Sequence, residues 1–297
     1  MRGFDGLWAA VRLVNTIREF LGFWSVFSGL GVEEKLEGWL GFYMSSYPEL
    51  LEKQVGCWGG LERLREVLAT RMLPALDQKI HDILEAWMQM LYVVGGLEEA
   101  AGRIGLGRRP VIVVYYGSGC GAGWATTLLG EPALLLDAGM AAQLGWISEE
   151  RVKGLVAHEL GHLRHMELRG EWMEFEEREG NPYFQLYSEG VAQAYEHIIM
   201  GRESWHMAPD DAWLRSCREK MNYLARLYLE RAEGGDVGGF YGVWIEEEGV
   251  KYAGYFLGHE FVKWVKGMIG ESLEEIARLS EAEVESLVKK FLREAGT

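Results

Sequence analysis

Apolar residues recur at helical spacing through the first third of this chain. Phe4, Leu7, Trp8 and Val11 keep that spacing, and so do Leu61, Leu64, Val67 and Leu68. Residues 79–94 (KIHDILEAWMQMLYVV) carry a further apolar stripe, closed by Gly95 and Gly96. Breaks fall at Ser46, Pro48, Gly56 and Gly59-Gly60. Residues 4–100 therefore read as helices. From 103 the pattern changes. Pro110 precedes VIVVYY (111–116), a β-branched and aromatic run that predicts a strand. After GSGCGAG (117–123), the segments WATTLL (124–129) and ALLLD (133–137) read as two strands joined by a tight turn at Gly130-Glu131-Pro132. Beyond 148 helical patterning resumes and runs almost to the end. The expected class is α+β, mainly helical with a small, mostly antiparallel sheet. The expected organisation is a helical region over 1–102 and a second region over 103–297.

Composition narrows the function classes. The chain has 297 residues, 48% of them hydrophobic, which excludes a disordered chain or a disulfide-knotted miniprotein. Acidic residues outnumber basic ones 45 to 30, and a net charge of −15 argues against a nucleic-acid partner. It leaves room for a peptide or protein partner. No apolar run is long enough for a transmembrane helix. Asp5, Arg12, Arg18 and Glu19 interrupt the N-terminal apolar stretch, so no secretory signal is expected. Cys57, Cys120 and Cys217 lie far apart with no C-x-x-C pair, which suits a reducing compartment. The expected location is the cytoplasm. The glycine loop 117–123 is followed by a strand and carries no lysine, so it reads as a bend rather than a phosphate cradle. The Glu-rich segments 174–179 and 246–248 read as solvated faces or loops.

Candidate chemistry sits in SEERVKGLVAHELGHLRHMELRG (148–170). Ser148 is a good N-cap, Glu149 and Glu150 suit the positive end of a helix, and Gly170 is a natural stop. Val152, Leu155, Val156, Leu160 and Leu163 give a broad apolar surface. Inside it lies His158-Glu159-Leu160-Gly161-His162, an H-E-x-x-H sequence. Positions i and i+4 lie about 40° apart around a helix and one turn apart along it, so two imidazoles can converge on one cation. Glu159 is displaced by about 100° from His158, which suits a general base and acid rather than a ligand. Zinc at such a site lowers the pKa of a coordinated water to about 7. His165 lies too far along the helix to join comfortably. Gly and His at 165 and 168 would be needed for the metzincin pattern, and the chain has His165 and Leu168. Cys120 has no supporting spacing. A third ligand is sought in YFQLYSEGVAQAYEHIIM (183–200), where Tyr187, Val191, Ala194 and Ile198 keep helical spacing. There Glu189 precedes Gly190 and Ala192, small residues that let a second helix pack closely on the first. Glu171 and Glu196 are the alternatives.

H-E-x-x-H followed by E-G-x-A resembles the gluzincin metallopeptidases, in particular a predicted zinc-protease branch. The likeness spans roughly residues 110–270. It implies that His158, His162 and Glu189 bind Zn2+, that Glu159 is the catalytic general base and acid, and that the substrate is a peptide or protein. It also implies a small sheet packed over the H-E-x-x-H helix, with WATTLL or ALLLD as the edge that receives substrate. Many members carry an Asp four residues after the third ligand to orient a zinc-bound histidine; here Gln193 stands there, and its amide oxygen could accept an imidazole N–H. Gly254-Tyr255-Phe256-Leu257-Gly258 is similar to a later motif whose Tyr stabilises the oxyanion, which implies a catalytic Tyr255, with Tyr252 and then His259 as alternatives. Two other functions fit the same residues: a zinc amidase, and a non-catalytic metal-stabilised interaction protein. The N-terminal helices are also candidates for covering the cleft.

Overall fold

A computed structural model describes residues 12–242 and 250–297. Among the described residues the chain is mainly helical α+β with one small sheet. The helical reading of Phe4 to Val11 lies outside the described residues. Arg12–Asn15, read as helix, form a strand, β1. The other strands are β2 (Val111–Tyr115), β3 (Gly123–Leu128) and β4 (Glu131–Asp137), in the order β1-β2-β4-β3. The sheet is mixed and not mostly antiparallel: β1 pairs with β2 and β2 with β4 in parallel, and only β3 with β4 is antiparallel. The reason is visible in β2. All five of its residues are buried, as expected of a strand flanked by parallel neighbours, and an unbroken apolar run carries no alternation to reveal direction.

The β3–β4 hairpin turns one residue earlier than expected, at Leu129 and Gly130. Both have positive φ, the requirement of a tight two-residue hairpin turn whose twist matches its strands. Of the two segments considered for a sheet edge, β3 is at the edge and β4 is interior among the described strands.

The chain divides into two compact units. The first comprises the described residues through Glu99 together with Arg108–Val156, and contains the sheet. Its core gathers Phe20, which stacks on Trp87 and Tyr116 at ring separations of 5.3 and 5.1 Å. The buried Tyr43 hydroxyl bonds Thr16 Oγ1 at 2.6 Å and accepts from the Tyr116 N–H at 2.9 Å. The predicted helix over 79–94 is present as Ile80–Val94 and stops at Gly95. Cys57 and Cys120 are joined by a disulfide, a bond that oxidising surroundings preserve. Their separation of 63 residues hid that contact. Cys217 is free and buried.

The second unit comprises Ala100–Gly107 and Ala157–Thr297. Three of its helices carry the candidate residues. The histidine helix (Glu149–Arg169), whose later part lies in this unit, begins after Ser148, whose Oγ accepts the Arg151 N–H at 3.4 Å. It ends at Gly170, which has a left-handed φ of +68°. The glutamate helix (Pro182–Met200) is capped by Asn181, whose side chain accepts from Tyr183 and Phe184, with Pro182 in the first turn. The tyrosine helix (Ala253–Ile269) follows Tyr252, itself left-handed at φ 60°. Among the described residues no helix is long and apolar enough to cross a membrane.

Candidate metal centre

Glycines set how closely these helices approach. A methyl group on Gly161 would lie 2.8 Å from the Ala192 carbonyl oxygen, so the histidine and glutamate helices meet backbone to backbone there. Gly190 does not serve that contact, contrary to expectation. It faces the tyrosine helix, where a Cβ would overlap the carbonyl oxygen of Gly258. The E-G-x-A segment is thus pinned on both sides, by Ala192 to one helix and by Gly190 to another.

That crossing brings three donor atoms together. His158 Nε2 lies 3.0 Å from Glu189 Oε2 and 3.2 Å from His162 Nε2, and His162 Nε2 lies 3.4 Å from Glu189 Oε2. A tetrahedral ion bound at about 2.0–2.1 Å has ligand atoms about 3.3 Å apart. The triangle has that size before any ion is placed in it. His158, His162 and Glu189 are therefore positioned to hold a metal ion. A second group, His158 with Glu196 and His206, also clusters closely enough for one.

The electrostatics call for positive charge. Burial by itself would keep His158 neutral; Glu189 and Glu196 overcome it and push its pKa up to about 10. His162 is also raised, against burial, chiefly by Glu189. Glu189 and Glu196 are both drawn down to about 2, in each case against the pull of burial, by His158 with His162 and by His206 with His158 respectively. Without a metal, protons on the imidazoles supply the cation that these carboxylates demand.

Glu159 is buried on the same helix and belongs to neither donor group. Its charge acts on His158, Tyr255 and Glu179. The Tyr255 ring lies edge-on to His158 at 5.5 Å. Burial, then the charges of Glu189 and Glu159, hold its phenol well above the ordinary range, so it remains a proton-bearing donor at neutral pH. Tyr252 stands behind it, ring to ring at 6.3 Å. His259 packs instead against His197 and Trp205.

Other expectations change. Gln193 does not take the place of an orienting carboxylate: its amide donates to the Ser204 carbonyl at 2.7 Å. Glu171, an alternative ligand, pairs with Arg169 and Arg178. Glu196, the other alternative, bonds His206 Nδ1 at 2.8 Å and lies 3.6 Å from His158 Nδ1. Segment 174–179 is not merely a solvated face, because Glu179 accepts from Ser188 at 2.7 Å and stands 3.8 Å from His162 Nδ1. Burial, with Glu189 and Glu159 adding, pushes Glu179 up to about 7 despite His162. Segment 246–248 lies outside the described residues. His165 is enclosed by Phe175, Phe184 and Tyr187, and burial keeps it far below the ordinary histidine range. Cys120 is engaged in its disulfide. Sequence reasoning missed His206 and Glu179. Both lie outside the long helices, in segments with no period to mark them. No family model, curated protein or solved structure matches the chain.

Proposed function

We propose that this chain is a zinc-dependent peptidase of gluzincin type. One observation carries the reading: two imidazole nitrogens and a carboxylate oxygen from two helices form a triangle of 3.0, 3.2 and 3.4 Å. Nitrogen and oxygen donors of this kind suit zinc, and three protein ligands leave a position open for reactants. His158, His162 and Glu189 would hold the ion. When bound, zinc supplies Lewis-acid polarisation of the substrate carbonyl and acidifies water.

The remaining work belongs to the chain. Glu159, rotated about 100° from His158, takes the proton of the attacking water and delivers it to the departing amine nitrogen. Tyr255 donates its phenolic proton in a hydrogen bond to the oxygen that gains charge as the carbonyl is attacked.

The test is zinc content together with digestion of a peptide library by wild type and Glu159→Gln. The expected result is one zinc in each protein, with cleavage by the variant reduced about 10²–10⁴-fold. Wild-type cleavage by Glu159→Gln would overturn the mechanism. Hydrolysis of small amides with peptides untouched would make the protein an amidase. Bound metal with no hydrolysis and four protein ligands would make it a metal-stabilised interaction protein.

A further inference from the structure

We propose that Glu196 and Glu179 are positioning residues for the two histidine ligands. Glu196 acts on His158 directly, and Glu179 acts on His162 through the Ser188 hydroxyl. The proposal rests on the reading of His158, His162 and Glu189 as ligands. It assigns to Glu196 and Glu179 a role that the spacing of the motif gave to neither.

An imidazole offers its Nε2 lone pair to a metal only when its remaining proton sits on Nδ1. Whatever stands behind Nδ1 therefore sets both the tautomer and the angle of the ring. Behind His158 stands Glu196, with no exposure to solvent. Its carboxylate is fixed from all sides. Oε1 accepts the Ser204 hydroxyl at 2.7 Å and the His206 backbone N–H at 3.1 Å. Oε2 accepts from His206 Nδ1 at 2.8 Å and faces His158 Nδ1 at 3.6 Å. The loop after the glutamate helix thus grips a carboxylate and presents it to the back of the first histidine.

Behind His162 the connection is relayed. Ser188 Oγ lies 3.2 Å from His162 Nδ1, and its hydroxyl donates to Glu179 Oε1 at 2.7 Å. A serine has one hydroxyl hydrogen, and here the ionised Glu179 carboxylate accepts it. Toward His162 the same oxygen can then only accept, so the proton belongs on His162 Nδ1 and the lone pair on Nε2. Both rings are turned to the same triangle by two carboxylates that reach them in different ways.

The grouping of His158, Glu196 and His206 also fits a second cation on distance. Hydrogen bonding argues against that use. Three donors from Ser204 and His206 already occupy Glu196. To serve both ions, His158 would have to give up both ring protons.

The experiment compares wild type with Glu196→Ala, Glu196→Gln, Ser188→Ala, Glu179→Gln and His158→Ala. Zinc equivalents are counted by native mass spectrometry, affinity is read by competition with a chromophoric chelator, and melting is recorded for the metal-free proteins. Wild type is expected to take one zinc. Glu196→Ala should bind it about 10–100-fold more weakly. Glu196→Gln should fall between the two, because an amide oxygen still accepts one N–H. Ser188→Ala and Glu179→Gln should each weaken zinc by about threefold to tenfold, with metal-free melting unchanged. If Glu196→Ala fails to fold, Glu196→Gln and Ser188→Ala decide the matter. Unchanged zinc affinity in the folded variants overturns the positioning roles and leaves the ligands standing. Two zincs in wild type with one lost in Glu196→Ala overturns them too, making Glu196 a ligand. No zinc in wild type, or undiminished zinc in His158→Ala, overturns the metal reading itself and this proposal with it.

Discussion

Both units bury carboxylates, and they treat them in opposite ways. In the first unit Asp137 has no exposure, and backbone satisfies it: Oδ1 accepts the N–H groups of Gly117, Gly139 and Met140, and Oδ2 that of Gly119. Burial raises its pKa to about 6 while these N–H groups pull the other way. In the second unit Glu189 and Glu196 face imidazole rings, and their pKa values fall to about 2. Backbone donors cannot leave, so Asp137 holds a loop and a helix start together. Imidazoles can exchange a proton for a metal, so the carboxylates around His158 and His162 hold a position for a cation. A buried acid tied to backbone stabilises a fold; a buried acid tied to titratable rings marks a site.

Three measurements sharpen or break that contrast. The largest effect is expected from Asp137→Ala, which strands four buried N–H groups. It should lower unfolding stability by about 3–5 kcal/mol in urea titrations. Glu189→Ala should destabilise the metal-free protein too, because it leaves His158 and His162 without their carboxylate, but it alone should weaken zinc, by about a hundredfold or more. Equal loss of zinc affinity in a folded Asp137→Ala and in Glu189→Ala would erase the distinction.

The next effect concerns pH. In the metal-free protein His158 holds its proton up to about pH 10, so a metal ion taken there must displace it. Affinity should therefore rise about tenfold per pH unit from pH 7 to 9, read in buffers of constant ionic strength. The metal-free protein should show the reverse trend in stability at high pH. Because the folded His158 pKa is raised, its contribution is complete below the ordinary histidine value and is lost as pH rises through about 10. Glu189 has a lowered pKa, so its contribution holds above the ordinary glutamate value and is lost as pH falls through about 2. A zinc affinity independent of pH would contradict the charged pairing.

The smallest effect separates histidines on one helix. His165 is ringed by Phe175, Phe184 and Tyr187 rather than by acids. His165→Phe, a larger ring in an enclosed site, should cost about 1–3 kcal/mol and leave zinc content at the wild-type value. Loss of zinc in that variant would show that the third histidine is coupled to the site.

Much of the histidine helix was legible in the sequence. Its cap at Ser148, its stop at Gly170 and the shared face of His158 and His162 are local properties, set by dihedral preference and by a period of 3.6 residues. The pairing of β3 with β4 was readable for the same reason, since a turn links neighbours in the chain. The direction of β2 against β1 and β4 was not, because parallel pairing joins distant segments and an unbroken apolar run looks alike either way. The partners of Glu196 were hidden too. Ser204 and His206 sit in a loop, where position follows from packing rather than from periodicity.

The sequence by itself determined a helix with two imidazoles and an acid at metal-binding spacing, and a second helix bearing an acid beside small residues. Only the tertiary structure decided that Gly161 meets Ala192, that Gly190 meets Gly258, and that Glu189 consequently reaches His158 and His162. It also decided that Glu196 and Glu179, not Gln193, stand behind the rings. Spacing along one helix fixes angles between its own side chains. The distance between two helices depends on what lies at their crossing, and here that is glycine and alanine.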